Sequence, residues 1–316
     1  MAVAAQVGSG MKKLALLLCS VLSAHAATYY VTVAGLGGEP DFELHFSTWA
    51  KEIDKLVKTG SDAHVETFYG PEATRAHVQG AFARIAREAK PDDALVVMLI
   101  GHGSFDGVDY KINLPGPDLS ASELAALLDR VPATRQLVVN MTSASGGSRA
   151  MLQKANRVII TATKSGFEKN ATVFARYWVE ALSDPAADTD KNDVISALEA
   201  FRYAEQKTAR FYETQKRLAT EHPSLADTGN GEAVRAPSPE NGVGLLANRF
   251  MVLRIGAAQT AAATPEKKKL QARKEELEGQ IDQLKYEKAS LAVEVYRTRL
   301  NALLLDLAKT QAELDK

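Results

Sequence analysis

The chain has 316 residues and sets 38 Lys and Arg against 39 Asp and Glu, a formal net charge of −1 at pH 7. That balance argues against nucleic acid as a partner, because phosphates call for a basic face. Hydrophobic residues make up 46% of the chain, enough for one large core, and a single cysteine excludes a disulfide-stapled scaffold.

Met11-Lys12-Lys13 is a short positive stretch, Leu14 to Leu22 a short apolar run, and Ala24-His25-Ala26 a small-x-small site. This layout predicts a secretory signal over residues 1–26 and a mature chain that is periplasmic or secreted. An N-terminal membrane anchor is the alternative. A lipoprotein would need a small residue before Cys19, where Leu18 stands. Cys19 leaves with the signal, so the mature chain has no thiolate ligand and no thiol nucleophile. No later apolar run is long enough to cross a bilayer, which predicts no stable membrane span in the mature chain.

Tyr29 to Ala34 is β-branched and aromatic and ends at Gly35-Leu36-Gly37-Gly38, a strand running into a loop. Phe46 to Val57 has helical spacing, His64 to Tyr69 reads as a short strand, and Ala73 to Ala89 as a helix. Ala94 to Ile100 is continuously apolar, as a strand buried on both faces must be. Ser120-Ala121-Ser122-Glu123 opens a helix to about Arg130 with a hydroxyl cap and a following acid. Leu137 to Asn140 and Val158 to Ala162 are further strands, Ala171 to Leu182 and Val194 to Ala209 helices, and Phe250 to Ile255 a last strand. The rhythm predicts an α/β domain over 27–256, with a mainly parallel sheet and helices on both faces.

Residues 257–265 form an Ala/Thr linker ended by proline. Leu270, Leu277, Leu284 and Leu291 then recur every seven residues, with Ile281 and Val295 between them, in a segment without proline. This predicts a long coiled-coil-type helix over 266–316. Lys274 and Lys288 interrupt its seam. The stripe must be covered by the domain itself, by a second copy, or by another protein, so self-association through 266–316 is one expectation.

Ligands of an open parallel sheet gather beyond the carboxyl ends of its strands. One strand here ends in Gly101-His102-Gly103-Ser104 and the next in Asn140-Met141-Thr142-Ser143-Ala144-Ser145-Gly146-Gly147. This ordered set resembles the caspase/legumain-like (clan CD, C13-type) cysteine peptidases, over roughly Thr28 to Gly256. Val158 to Ala162 is similar to the strand that shapes the family's specificity pocket, and Ala187 to Phe201 and Glu221-His222-Pro223 through Gly231 look like later segments of bacterial members. The resemblance implies His102 as general base, Ser143 where the family has its cysteine, and the N–H groups of Gly103 and Ser143 as an oxyanion hole. Two departures stand out. The nucleophile position is a serine, and Met141 stands where the family often has an acid. A serine needs an aligned base and usually an orienting carboxylate, for which Asp106 is near in sequence. Lys164-Ser165-Gly166-Phe167-Glu168-Lys169-Asn170 follows the next strand and faces the same cleft. Lys164, Ser165, Glu168 and Asn170 are therefore candidate contacts for a peptide or protein ligand, the alternative being a solvated turn.

Asp188, Asp190, Asn192, Val194, Ser196 and Glu199 stand at positions 1, 3, 5, 7, 9 and 12 of a calcium-loop spacing, Val194 through its carbonyl. Asp193 replaces the usual glycine of position 6, where the chain must turn sharply. The rival reading is a capped helix start that needs no metal. No cofactor is required, and calcium is the one the pattern admits. Three functions stay open: a catalytically degenerate binding or scaffold module, an active Ser-His hydrolase using Ser143 and His102, and an assembly protein working through 266–316.

Overall fold

The computed structural model describes residues 26–60, 62–230, 232–256, 258 and 264–316. The apolar core of the expected signal and most of the 257–265 linker lie outside the described residues. Strands and helices alternate as β1 (Thr28–Ala34), α1 (Pro40–Val57), β2 (Ala63–Phe68), α2 (Arg75–Glu88) and β3 (Ala94–Ile100). Next come β4 (Gly103–Phe105), β5 (Tyr110–Ile112), β6 (Leu119–Ser120), α3 (Ala121–Asp129) and β7 (Arg135–Asn140). The chain continues through α4 (Arg149–Leu152), β8 (Arg157–Thr161), α5 (Phe174–Ala181), β9 (Val194–Ser196) and α6 (Ala197–Thr214). It ends with β10 (Ser224–Ala226), α7 (Leu245–Arg249), β11 (Met251–Arg254), α8 (Pro265–Glu287) and α9 (Val293–Leu314).

The main sheet has the order β10-β8-β7-β3-β1-β2 and is parallel except for β10, which runs antiparallel to β8. β3 lies near its centre with every residue buried. Its alternate residues serve two cores, as the period of two requires. Val96, Met98 and Ile100 pack with Phe46 and Ile53 of α1 and with Trp178 and Phe201 of α5 and α6. Leu95, Val97 and Leu99 pack with Phe82 and Ile85 of α2 and with Leu124 and Leu128 of α3. Each such side chain contributes about 1.5–3 kcal/mol on burial. Because β1, β3, β7 and β8 are parallel, their carboxyl ends share one edge.

Several boundaries differ from expectation for local reasons. α1 begins at Pro40 rather than near Phe46, because proline in the first turn fits a helix start. Val194–Ser196, expected as helix, is a buried strand, and the helix waits for the capping box Ser196–Glu199. That strand pairs antiparallel with β11, so the last strand forms a separate two-stranded sheet outside the main one.

The C-terminal helix is present, but it breaks at 288–292 and reverses. Lys267 Nζ donates to the Leu314 carbonyl at 3.2 Å, tying the start of α8 to the end of α9. Leu277, Ile281 and Leu284 are buried, while Leu291 of the heptad set falls in the turn with an extended backbone. Neither proline nor glycine forces this break. Folding back lets α9 cover part of a stripe that a straight helix would carry off the domain. α8 docks on the domain through a forked Arg254–Glu275 pair at 2.9 and 3.0 Å and through Tyr286 Oη donating to the Val243 carbonyl. Lys274, out of place in a coiled-coil seam, donates to the Asn192 carbonyl at 3.3 Å. Among the described residues no helix is long and apolar enough to cross a membrane.

Candidate functional site

Leu99 of β3 pairs with Asn140 of β7, so His102 and Ser143 leave the sheet at the same edge. β3 ends in a turn only glycine accommodates easily: Gly101 has φ +140° and a methyl there would sit 3.3 Å from the Gly35 nitrogen. The Gly103 N–H donates to Ser143 Oγ at 3.0 Å, and Ser143 Oγ in turn donates to the Gly103 carbonyl at 3.2 Å. Ser143 is only 2% exposed.

This arrangement departs from the expected constellation in three ways. The Gly103 N–H, one of the two expected oxyanion donors, is taken by the serine hydroxyl itself. The His102 ring stands edge-on to Phe42 and Phe46 of α1, at 4.9 and 5.2 Å between centroids, and no hydrogen bond among the described residues joins it to Ser143. Asp106, the nearest candidate for an orienting acid, turns into its own loop and accepts the N–H groups of Val108 and Asp109, both at 2.9 Å. A serine nucleophile is activated by an adjacent base, and the hydrogen-bond partners of this hydroxyl are the N–H and carbonyl of Gly103.

Behind Ser143 lies a buried polar network that sequence reading missed. Tyr110 Oη contacts Thr142 Oγ1 and donates to Asn140 Oδ1, and Asn140 Nδ2 donates to Ser148 Oγ at 3.1 Å. Burial raises the Tyr110 phenol well above its ordinary pKa and keeps it neutral. Ala144, next to Ser143, adopts φ +56°. A non-glycine residue in this region costs roughly 1–2 kcal/mol. Ala144 is held there by its N–H bond to the Glu168 carbonyl at 2.8 Å.

The 164–170 loop therefore does reach the Ser143 turn. Gly146 donates to Thr163 Oγ1 at 2.8 Å, and Arg149 Nη1 to the Lys164 carbonyl at 3.3 Å. Glu168 faces inward: its carboxylate accepts the N–H groups of Lys164 and His222 and bonds the His222 ring through Nδ1. Ser165 Oγ accepts the Phe167 N–H at 3.3 Å. Lys164, Lys169 and Asn170 are exposed, so of the four proposed contacts Lys164 and Asn170 face solvent while Ser165 and Glu168 hold the loop. Beside them Glu221 is 2% exposed and accepts N–H groups of Val173 and Phe174 at the start of α5, plus the Tyr212 hydroxyl. Burial, aided by the Glu168 charge, pushes its carboxyl up to about 7 against the stabilising hydrogen bonds. Glu221-His222-Pro223 is visible in the sequence as a segment, but its tie to Glu168 is not.

In the 188–199 loop, carboxylate oxygens of Asp188, Asp190 and Glu199 lie within 4.8 Å of one another. Asp193 takes φ +66° at position 6, the conformation glycine usually supplies there. Asp188 accepts the N–H groups of Asn192 and Asp193, both at 3.1 Å. The Val194 N–H donates to Asn192 Oδ1 at 2.8 Å. Glu199 is already engaged by Thr189 and, as a capping box, by Ser196 at 2.9–3.0 Å. Asp190 is exposed at its surface, yet desolvation within the acidic cluster, with the charges of Glu199 and Asp188, raises its carboxyl to about 6.

A scan against protein-family models matches none, and a search of the curated proteins finds no similar sequence. Among solved structures the chain is similar to caspase-1 of Spodoptera frugiperda, at 14% identity and TM-score 0.46, covering 64% of this chain and 87% of that one. It is similar to the Drosophila initiator caspase Dronc at 9% identity and TM-score 0.41, covering 66% and 81%. It is also similar to a Geobacter sulfurreducens protein at 13% identity and TM-score 0.44, covering 73% and 99%. The mixed α/β class itself rests on the strand order and register of this chain.

Proposed function

We propose that this chain is an exported, catalytically degenerate relative of the caspase/legumain-like peptidases. In this reading it binds a peptide or protein segment at the carboxyl edge of its sheet. The observation that carries the reading is the reciprocal pair of hydrogen bonds between the Ser143 hydroxyl and the Gly103 backbone, with none joining His102 to that hydroxyl among the described residues. Lys169 offers an exposed cationic group at the rim, beside Lys164, which pairs with Glu168 at 3.7 Å, and Arg149, which donates to the Lys164 carbonyl. Fluorophosphonate labelling of the mature protein tests it: Ser143→Ala should label no less than the wild type. Labelling that depends on Ser143 would establish the rival, an active hydrolase with His102 as base.

Two further assignments belong with this reading. The 188–199 loop is a weak calcium site, supported by the φ of Asp193 and the three converging carboxylates, and calcium must compete there with the hydrogen bonds of Glu199. The C-terminal hairpin self-associates, supported by the exposure of Val293 at 65% and Leu305 at 58% on α9.

A further inference from the structure

Phe105 occupies a slot beside the Ser143 turn that is shaped for a phenyl ring. A methyl group on Gly147 would lie 2.6 Å from Phe105 Cδ2 and 2.9 Å from Cγ, and one on Gly166 would collide with the Cδ1 side of the same ring. Gly147 belongs to the turn after Ser143 and Gly166 to the loop after β8, so the ring passes between the two segments that end neighbouring strands. Neither glycine has a positive φ. Their lack of a side chain serves space, not backbone conformation.

The ring packs on the margin of the apolar core and not inside it. Phe105 is only half-buried and closes β4, a strand of three residues. It leads into the exposed turn 106–109, where Gly107 has φ +102° and open space around it. Short, exposed pairings of this kind open at little cost. At the mouth, Phe167 is 72% exposed and meets Phe105 edge to face at 5.5 Å and 84°. An aromatic pair prefers this arrangement, and an entering ring could take the place of Phe105 in it.

We infer that the 147/166 slot is a specificity pocket for an aromatic side chain of a bound peptide, with Phe105 as its built-in occupant. This rests on the peptide-binding reading of the same edge. Phe105 must swing out for a ligand to enter, so the apparent affinity is lowered by the fraction of molecules in which the slot is open. Removing the ring removes that penalty.

The test uses the mature full-length chain and capped pentapeptides, Ac-Ala-Ala-Xaa-Ala-Ala-NH2, with Xaa Phe, Leu or Trp, titrated by calorimetry. Phe105→Ala should bind the Phe peptide about tenfold or more tightly than the wild type does. It should prefer Phe to Leu and to the larger Trp. Adding Gly166→Ala to Phe105→Ala should cancel the gain, since the new methyl fills the slot. Phe105→Leu keeps an apolar anchor and should show the same ranking with a smaller gain, whether or not Phe105→Ala folds. Equal binding of Phe and Leu peptides by both variants would overturn the slot and leave the edge as a peptide site. No binding of any peptide by any form would overturn the peptide-binding reading as well.

Discussion

Glu221 makes the stability of this protein depend on pH in a way one substitution can isolate. Its carboxyl is buried beneath the start of α5 and pushed from an ordinary 4.5 up to about 7. A carboxyl raised on folding binds more protons folded than unfolded. Its stabilising contribution is therefore complete below the unfolded value and is lost as pH rises through the folded one. At about 1.36 kcal/mol per unit, the full amplitude is about 3 kcal/mol, and about 2.5 kcal/mol of it falls between pH 5 and pH 8. Glu221→Gln keeps a carbonyl oxygen for the Val173 N–H, gives up the acceptor of the Phe174 N–H, and does not titrate, so only the pH dependence is compared. Urea unfolding followed by Trp49 and Trp178 fluorescence at the two pH values gives the comparison. The wild type should lose about 2.5 kcal/mol more than Glu221→Gln from pH 5 to pH 8. Parallel pH profiles for the two proteins would refute the argument, as would a wild type that gains on the variant at high pH.

Calcium should raise the melting temperature and EDTA should reverse the rise, with about 2.7 kcal/mol added at a hundred times the dissociation constant. Asp188→Asn and Glu199→Gln should each abolish the shift, and an identical melt in calcium and EDTA would remove the site. Gly103→Ala puts a methyl 2.7 Å from the Ser143 carbonyl oxygen and 2.7 Å from the Tyr110 hydroxyl. It should cost about 2–3 kcal/mol through overpacking, and a wild-type melt would contradict that packing. Light scattering of the mature chain should show a mass that grows with concentration and returns to the monomer with Leu304→Glu and Leu305→Glu together. A monomer at every concentration would end the self-association proposal.

How much of this was legible beforehand follows from the range of the forces involved. Apolar, β-branched runs mark β1, β3, β7 and β8, because a strand buried on both faces leaves no polar position. Their alternation with helical patterns carries the parallel α/β class, and from that class it follows that His102, Ser143 and the 164–170 loop share an edge. The helix starts at Ser120 and Ser196 are likewise local, set by a hydroxyl and an acid three residues on. The reading from sequence ran that helix back to Val194 and put Ser196 inside it, since Val194–Ser196 becomes a strand only by pairing with β11, more than fifty residues away.

The site followed the same division. Residue types and spacing brought Gly103 and Ser143 together, but which partner the Ser143 hydroxyl would choose was settled by the close approach of the Gly103 backbone. Asp106 was near His102 in sequence, and the turn it caps drew it away. The heptad spacing of Leu277 and Leu284 established that a stripe must be covered, since a helix cannot bury its own apolar face. Whether a second copy or the chain's own reversal would cover it depends on where the domain surface ends, and that is a property of the folded molecule alone.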